Sequence, residues 1–319
     1  MVQDYFMMLG LIIQRCRNLA HLTVVSLETS DVSFWKALLL DKVAPPRFTT
    51  HGFARLRTLA LQLHTEDYGL GEESTLFPRI YNALASVPSL QQLRASGVVS
   101  DGSCTTTSDQ VRSLDTIDIT ECILDLQDVL NIASGSTALK HFSCSWAYLN
   151  SQGFNIPDLF PILLSHKDTL ESLVFDAREV RFNANDYPRQ SIGSLKEFTA
   201  LQSLSICETS FLNTQISILD FPDQHISLRI SELLPNSLKW FTLFLRPDYG
   251  YDDDNRIDEV FALWALAEDC PKDLPNLRTV CLQAENNLSA PLLTREFQDK
   301  RVELILLQDA YAHQNSITE

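Results

Sequence analysis

Apolar and polar positions along the chain fall into one short phrase that keeps returning. Its clearest copy is Ser113–Ile123, SLDTIDITECI, which reads Leu114-x-x-Ile117-x-Ile119-x-x-Cys122. Aligned on the first leucine, the phrase recurs at Leu19, Leu56, Leu90, Leu114, Leu139, Leu170, Leu201, Leu238 and Leu277. The fourth position is apolar every time: Leu22, Leu59, Leu93, Ile117, Phe142, Leu173, Leu204, Phe241 and Val280. The sixth is apolar or small: Val24, Leu61, Ala95, Ile119, Cys144, Phe175, Ile206, Leu243 and Leu282. Alternate residues of a strand share a face. The fourth and sixth positions therefore point together into a core, and the third, fifth and seventh point the other way. The first position closes the turn before the strand.

Between the phrases the period changes. Phe77, Ile80, Tyr81 and Leu84 make a helical stripe, as do Leu126, Val129, Leu130 and Ala133. Phe34, Trp35, Leu38 and Leu39 suit a short helix ended by Pro45-Pro46, and Phe160, Leu163 and Leu164 suit another, entered through Pro157. A longer helix is predicted from an N-cap at Asn255, with Asp258 three residues on. Its stripe is Ile257, Val260, Phe261, Trp264 and Ala267, and Pro271 is predicted to stop it. The apolar run Phe6–Ile13 predicts an N-terminal helix over 1–17 that packs on the first strand. Residues 292–319 form a closing segment, with a helix near Leu292–Lys300 and a strand at Val302–Leu307. Leu63–Thr75, Ser96–Gln110, Arg178–Ser191 and Asp248–Asn255 read as polar surface loops.

Neighbouring first leucines are 37, 34, 24, 25, 31, 31, 37 and 39 residues apart. The shorter intervals fit a leucine-rich repeat, and the longer ones add surface loops or longer helices without breaking the strand register. One such unit cannot bury its apolar face alone, so units must stack, strands in parallel and return helices on the flank. The phrases, above all Leu114–Cys122 and Gly193–Ile206, resemble leucine-rich repeat proteins, and most of all the long arrays of fungal F-box proteins. The resemblance implies an α/β fold: a single curved solenoid of about nine irregular repeats over residues 1–319. A parallel sheet would line its concave face, with helices and loops on the convex one. In that family an F-box docks a Skp-type adaptor of a cullin ubiquitin ligase, and the repeat face holds the substrate. This sequence has no L-P-x-E-[IL]-like segment, so the resemblance implies the substrate-receptor half. The adaptor is expected only where an F-box is supplied upstream.

Composition narrows the function. With 319 residues, 45% hydrophobic and 21% charged, the chain is a folded one. A formal charge of −16 argues against nucleic acid, whose phosphates need a basic surface. Asp4 and the missing small-residue cleavage site argue against a secretory leader, and no apolar run reaches the length of a membrane span. A cytoplasmic or nuclear location is expected, without a membrane partner. The seven cysteines include no C-x-x-C and read as reduced, partly buried thiols.

Chemistry-bearing motifs are absent. Gly69-Leu-Gly71 lacks the third glycine of a dinucleotide fingerprint, and the seven histidines hold no i, i+4 pair. Asp252–Asp254 lacks the glycine and glutamate of a calcium loop. No cofactor, metal or enzymatic activity is expected. The function predicted is protein recognition, with an extracellular repeat receptor or effector as the alternative and an unrecognised enzyme behind it.

The candidate partner-binding residues lie on the outward positions of the last repeats: Trp240, Thr242, Phe244, Ser205, Cys207, Thr279 and Gln283. In most units these positions are small or polar, so Trp240 and Phe244 are the natural anchors, unless the Asp248–Asn255 loop folds back over them. Met7, Met8, Leu9, Leu11, Ile12 and Ile13 leave the N-terminal edge short of polar surface, so a partner or further domain is expected there.

Overall fold

The computed structural model describes residues 2–26, 32–40, 47–48, 53–63, 76–100, 104–105, 113–147, 149–151, 158–182, 192–212, 229–245, 257–285 and 287–309. The chain forms two compact units, Met1–Phe154 with Glu179–Asn183, and Asn155–Arg178 with Ala184–Glu319. Both are α/β and both are built on parallel strands.

In the first unit the strands are β1 (His21–Ser26), β2 (Thr58–Leu63), β3 (Gln92–Ser96), β4 (Thr116–Cys122) and β5 (His141–Trp146). They pair in sequence order, all parallel, in a register that lines up Leu22, Leu59, Leu93, Ile117 and Phe142. The second unit holds β6 (Ser172–Asp176), β7 (Ser203–Cys207), β8 (Trp240–Phe244), β9 (Thr279–Ala284) and β10 (Glu303–Gln308), again parallel and in order. Here the fourth-position ladder is Leu173, Leu204, Phe241, Val280 and Leu304. β1–β9 each begin two residues after a phrase leucine, and β10 is the closing strand.

The register repeats because the backbone repeats. The Ala20 carbonyl accepts from the N–H groups of both Arg57 and Thr58. The same shared acceptance recurs at Arg57, Gln91 and Asp115 in the first unit, and at Glu171, Gln202 and Lys239 in the second. Each such carbonyl follows a phrase leucine directly. That leucine is turned inward and buried from Leu56 through Leu277. A serine often stands just before it and satisfies the preceding turn. Ser89 Oγ donates to the Leu56 carbonyl at 2.8 Å, Ser113 Oγ to Leu90 at 3.0 Å and Ser237 Oγ to Leu201 at 2.7 Å. Burying each leucine contributes roughly 1.5–3 kcal/mol. Buried carbonyls left without donors would offset much of that.

Helices carry the chain between strands: α1 (Val2–Ile13), α2 (Val32–Leu38), α3 (Leu76–Ala83), α4 (Leu126–Ser134), α5 (Leu159–Leu164), α6 (Glu208–Phe211), α7 (Phe261–Asp273) and α8 (Pro291–Asp299). Asp125 caps α4, its side chain accepting from the Gln127 N–H at 3.1 Å. α1 crosses α2 so closely at Gly10 that a Cβ there would stand 2.7 Å from Ala37 Cβ. Two short two-stranded pairs complete the first unit, Leu39–Leu40 with Arg47–Phe48 and Leu149–Ser151 with Val180–Phe182.

Several local expectations change. The Arg178–Ser191 stretch is not all surface loop, since Val180–Phe182 pairs with Leu149–Ser151 and Val180 is buried. Pro271 lies inside α7, which runs on to Asp273, because a proline in the last turn removes only one ladder bond and the Leu274 N–H still donates to Cys270. Asp258 caps α8, not its own helix: its carboxylate accepts from the Leu293 N–H at 2.9 Å and the Leu292 N–H at 3.3 Å. Asn255 and Pro157 lie outside the described residues. The Ser96–Gln110 stretch is not wholly surface loop, since Val98 and Cys104 are fully buried. The Cys104 N–H donates to Asp128 Oδ1 at 2.8 Å, which pins the segment to α4. Among the described residues, no helix is long and apolar enough to cross a membrane.

Candidate partner-binding face

The second unit's sheet turns its fourth and sixth positions inward and presents the others as three rows. The first row is Ser203, Trp240, Thr279 and Glu303, in register across β7–β10. The second is Ser205, Thr242, Cys281 and Ile305, and the third is Cys207, Phe244, Gln283 and Leu307. Trp240 stands out of the first row with 52% of its surface exposed, between half-buried Ser203 and Thr279. Neither neighbour is tall enough to cover an indole. Ser205, Thr242 and Gln283 are half-buried beside it.

Two of the seven candidate residues are not surface groups. Cys207 is fully buried and Phe244 keeps only 7% exposure. Both occupy the seventh position, at the end of the strand. Cys207 leads directly into α6. Phe244 is covered by Arg178, whose guanidinium carbon lies 4.9 Å from the ring centroid. The Asp248–Asn255 loop, expected as the alternative cover, lies outside the described residues.

Arg178 is the residue the sequence reading missed. It stands just after β6, and its side chain, 12% exposed, bonds Asp176 in two places, Nε to Oδ1 at 3.0 Å and Nη2 to Oδ2 at 2.7 Å. Its Nη1 donates to Asp309, the residue following β10. Asp309 also accepts from Gln283 Nε2 at 2.5 Å. One guanidinium thus ties the strand end at β6 to the one at β10, over the Phe244 ring of β8, with Gln283 of β9 held in the same network. Burial works against the charged guanidinium, but the hydrogen bonds and charges of Asp176 and Asp309 outweigh it and hold its pKa above the ordinary arginine value. Gln283, expected as a free contact residue, is committed on one side to this network.

Cys281 lies between the rows with 8% exposure. Burial pushes its thiol up, and a hydrogen bond with the Thr242 side chain acts the other way. All seven cysteines are free thiols; Cys16 alone is exposed. Among the described residues no three His, Cys, Asp or Glu side chains gather as metal ligands. The face offers one large aromatic, hydroxyls at fixed spacing and an acid at its rim, which suits the docking of a polypeptide.

No family model matches the chain, and no curated protein matches it either.

Proposed function

We propose that the chain is a protein-recognition scaffold of the leucine-rich repeat kind, a solenoid that works by binding and not by catalysis. The observation that carries this reading is Trp240, half exposed at the start of β8 with only small residues in register beside it. Large exposed aromatics on a rigid sheet are the usual energetic centres of protein interfaces. The repeated carbonyl-sharing turns support the repeat reading, since they recur at the same phrase position across each unit. On the likeness to fungal F-box proteins, the partner is a substrate held for ubiquitin transfer. A Skp-type adaptor joins only where an F-box is supplied upstream. The partner presents an apolar pocket for the indole, and a basic group near it meets Glu303 at the end of the same row.

Affinity capture from the native cell extract, read by mass spectrometry, tests this with the parent chain and a Trp240→Ser variant side by side. The reading expects a partner enriched by the parent and lost by the variant. An identical set of captured proteins for both would remove Trp240 from the interface.

A further inference from the structure

The first unit ends on an open groove. β1 is hydrogen-bonded to β2 on one side, and its other edge is the edge of the sheet. A cavity of about 230 Å³ runs along that edge, walled by Phe6, Leu9 and Ile13 of α1, by Leu22–Val25 of β1, and by Phe34 of α2. Leu19 and Val24 occupy phrase positions that are buried in every inner repeat, yet here both are only half-buried. The core of this repeat is therefore missing a layer on its outer side.

The backbone says what kind of layer. The Ala20 carbonyl faces β2, where it accepts from Arg57 and Thr58. Successive residues of a parallel strand turn their N–H and C=O groups alternately to the two sides. Leu22 and Val24 then bond β2, while His21, Thr23 and Val25 aim theirs at the groove. β1, HLTVVS, carries no proline or lysine, the usual guards of an exposed edge.

Charge selects among strand-forming occupants. The described charges on α1, α2, β1 and the turn between α1 and β1 are Arg15, Arg17 and Lys36 against Asp4, with His21 at the start of β1. None of the three cations forms a salt bridge with another described residue. This is a basic rim on a chain of formal charge −16. An acidic segment running along this edge would neutralise them.

We propose that the groove between α1 and β1 takes an extended segment of another protein by strand addition. The segment carries apolar side chains at alternate positions and an acidic residue at the end that meets Arg15 and Arg17. This edge is independent of the Trp240 face and stands or falls separately.

A random peptide library displayed on phage, panned on the full chain, tests it. The expected sequences alternate Val, Ile or Leu with polar residues and carry Asp or Glu at one end. A synthetic, fluorescein-labelled copy of the best sequence, followed by anisotropy, should bind Thr23→Pro about tenfold or more weakly. The Thr23 N–H points away from β2, so that substitution removes no ladder bond, and its melting temperature should stay within a few degrees of the parent. The same peptide N-methylated at alternate residues should also lose binding to the unaltered chain, a readout that requires no change in the protein. Arg15→Glu with Arg17→Glu should weaken it further. Three results would overturn the proposal: no peptide enriched over background, equal binding by Thr23→Pro and the methylated peptide, or a dimer in sedimentation that Thr23→Pro abolishes. The last would assign the edge to a second copy of this chain.

Discussion

Replacing Arg178 by methionine should destabilise the second unit by about 3 kcal/mol. The change keeps most of the side-chain length and removes the guanidinium. Asp176 and Asp309 are then left facing each other's strand ends, with side chains 17% and 14% exposed. Stranding a buried charge costs about 3–5 kcal/mol, and residual solvent at both carboxylates reduces that to roughly 2–3. Loss of the cation from the Phe244 face adds roughly 0.5–1 kcal/mol. Urea unfolding followed by far-ultraviolet circular dichroism would give the change from the shift in midpoint at constant slope. Adding Asp176→Asn and Asp309→Asn to Arg178→Met should recover a part of the loss, because the uncompensated charges are then gone. Arg178→Lys keeps the charge but not the fork, and should fall between parent and Arg178→Met. A loss under about 0.5 kcal/mol, in the range of an exposed pair, or a triple variant no better than Arg178→Met, would refute the clamp.

Two further outcomes follow from local geometry. Gly10→Ala places a methyl group 2.7 Å from Ala37 Cβ and 2.8 Å from the Phe34 carbonyl. It should therefore lower stability by about 1–3 kcal/mol, and an unchanged melting curve would mean that α1 does not cross α2 there. Burial, reinforced by the charge of Asp269, pushes the Cys270 thiol from an ordinary 9.0 up to about 12. Below that ordinary value both folded and unfolded chains keep the proton, and the contribution to stability is complete. Between the two values the unfolded chain releases a proton that the folded chain retains, so stability falls as pH rises. Urea titrations across that alkaline window should fall less steeply for Cys270→Ala than for the parent, and equal slopes would show that Cys270 is not shielded.

Much of the fold is legible because its signal is local. The alternation Leu-x-x-Ile-x-Ile reports a strand whatever lies around it, and β1–β9 start where that phrase places them. The helices α3 and α4 follow equally from their stripes. The serine ahead of Leu90, Leu114 and Leu238 was also in plain view. Its meaning, a donor for the previous turn, needs the neighbouring repeat to be present. Exposure was legible in the first row, at Trp240, and not in the third, at Cys207 and Phe244. Phe244 is covered by Arg178, which follows another strand, and Cys207 leads into α6, and neither is visible in the periodicity of the strand itself. Arg178 could not be found by pattern at all, since its partner Asp309 is 131 residues away. Only Asp176 carries a hint, a carboxylate at a seventh position.

These differences redirect the test of function. Truncating Phe244 with Trp240 would mix binding with folding, because removing a buried phenylalanine alone costs about 3–5 kcal/mol. Trp240 by itself is exposed and can be changed without opening the core. The direct measurement is the dissociation constant of the principal captured partner, by calorimetry, for the parent and for Trp240→Ser at equal thermal stability. An anchor at this position is worth at least about 2 kcal/mol, so the account predicts binding weakened about thirtyfold or more. Equal affinity for the two chains would contradict it.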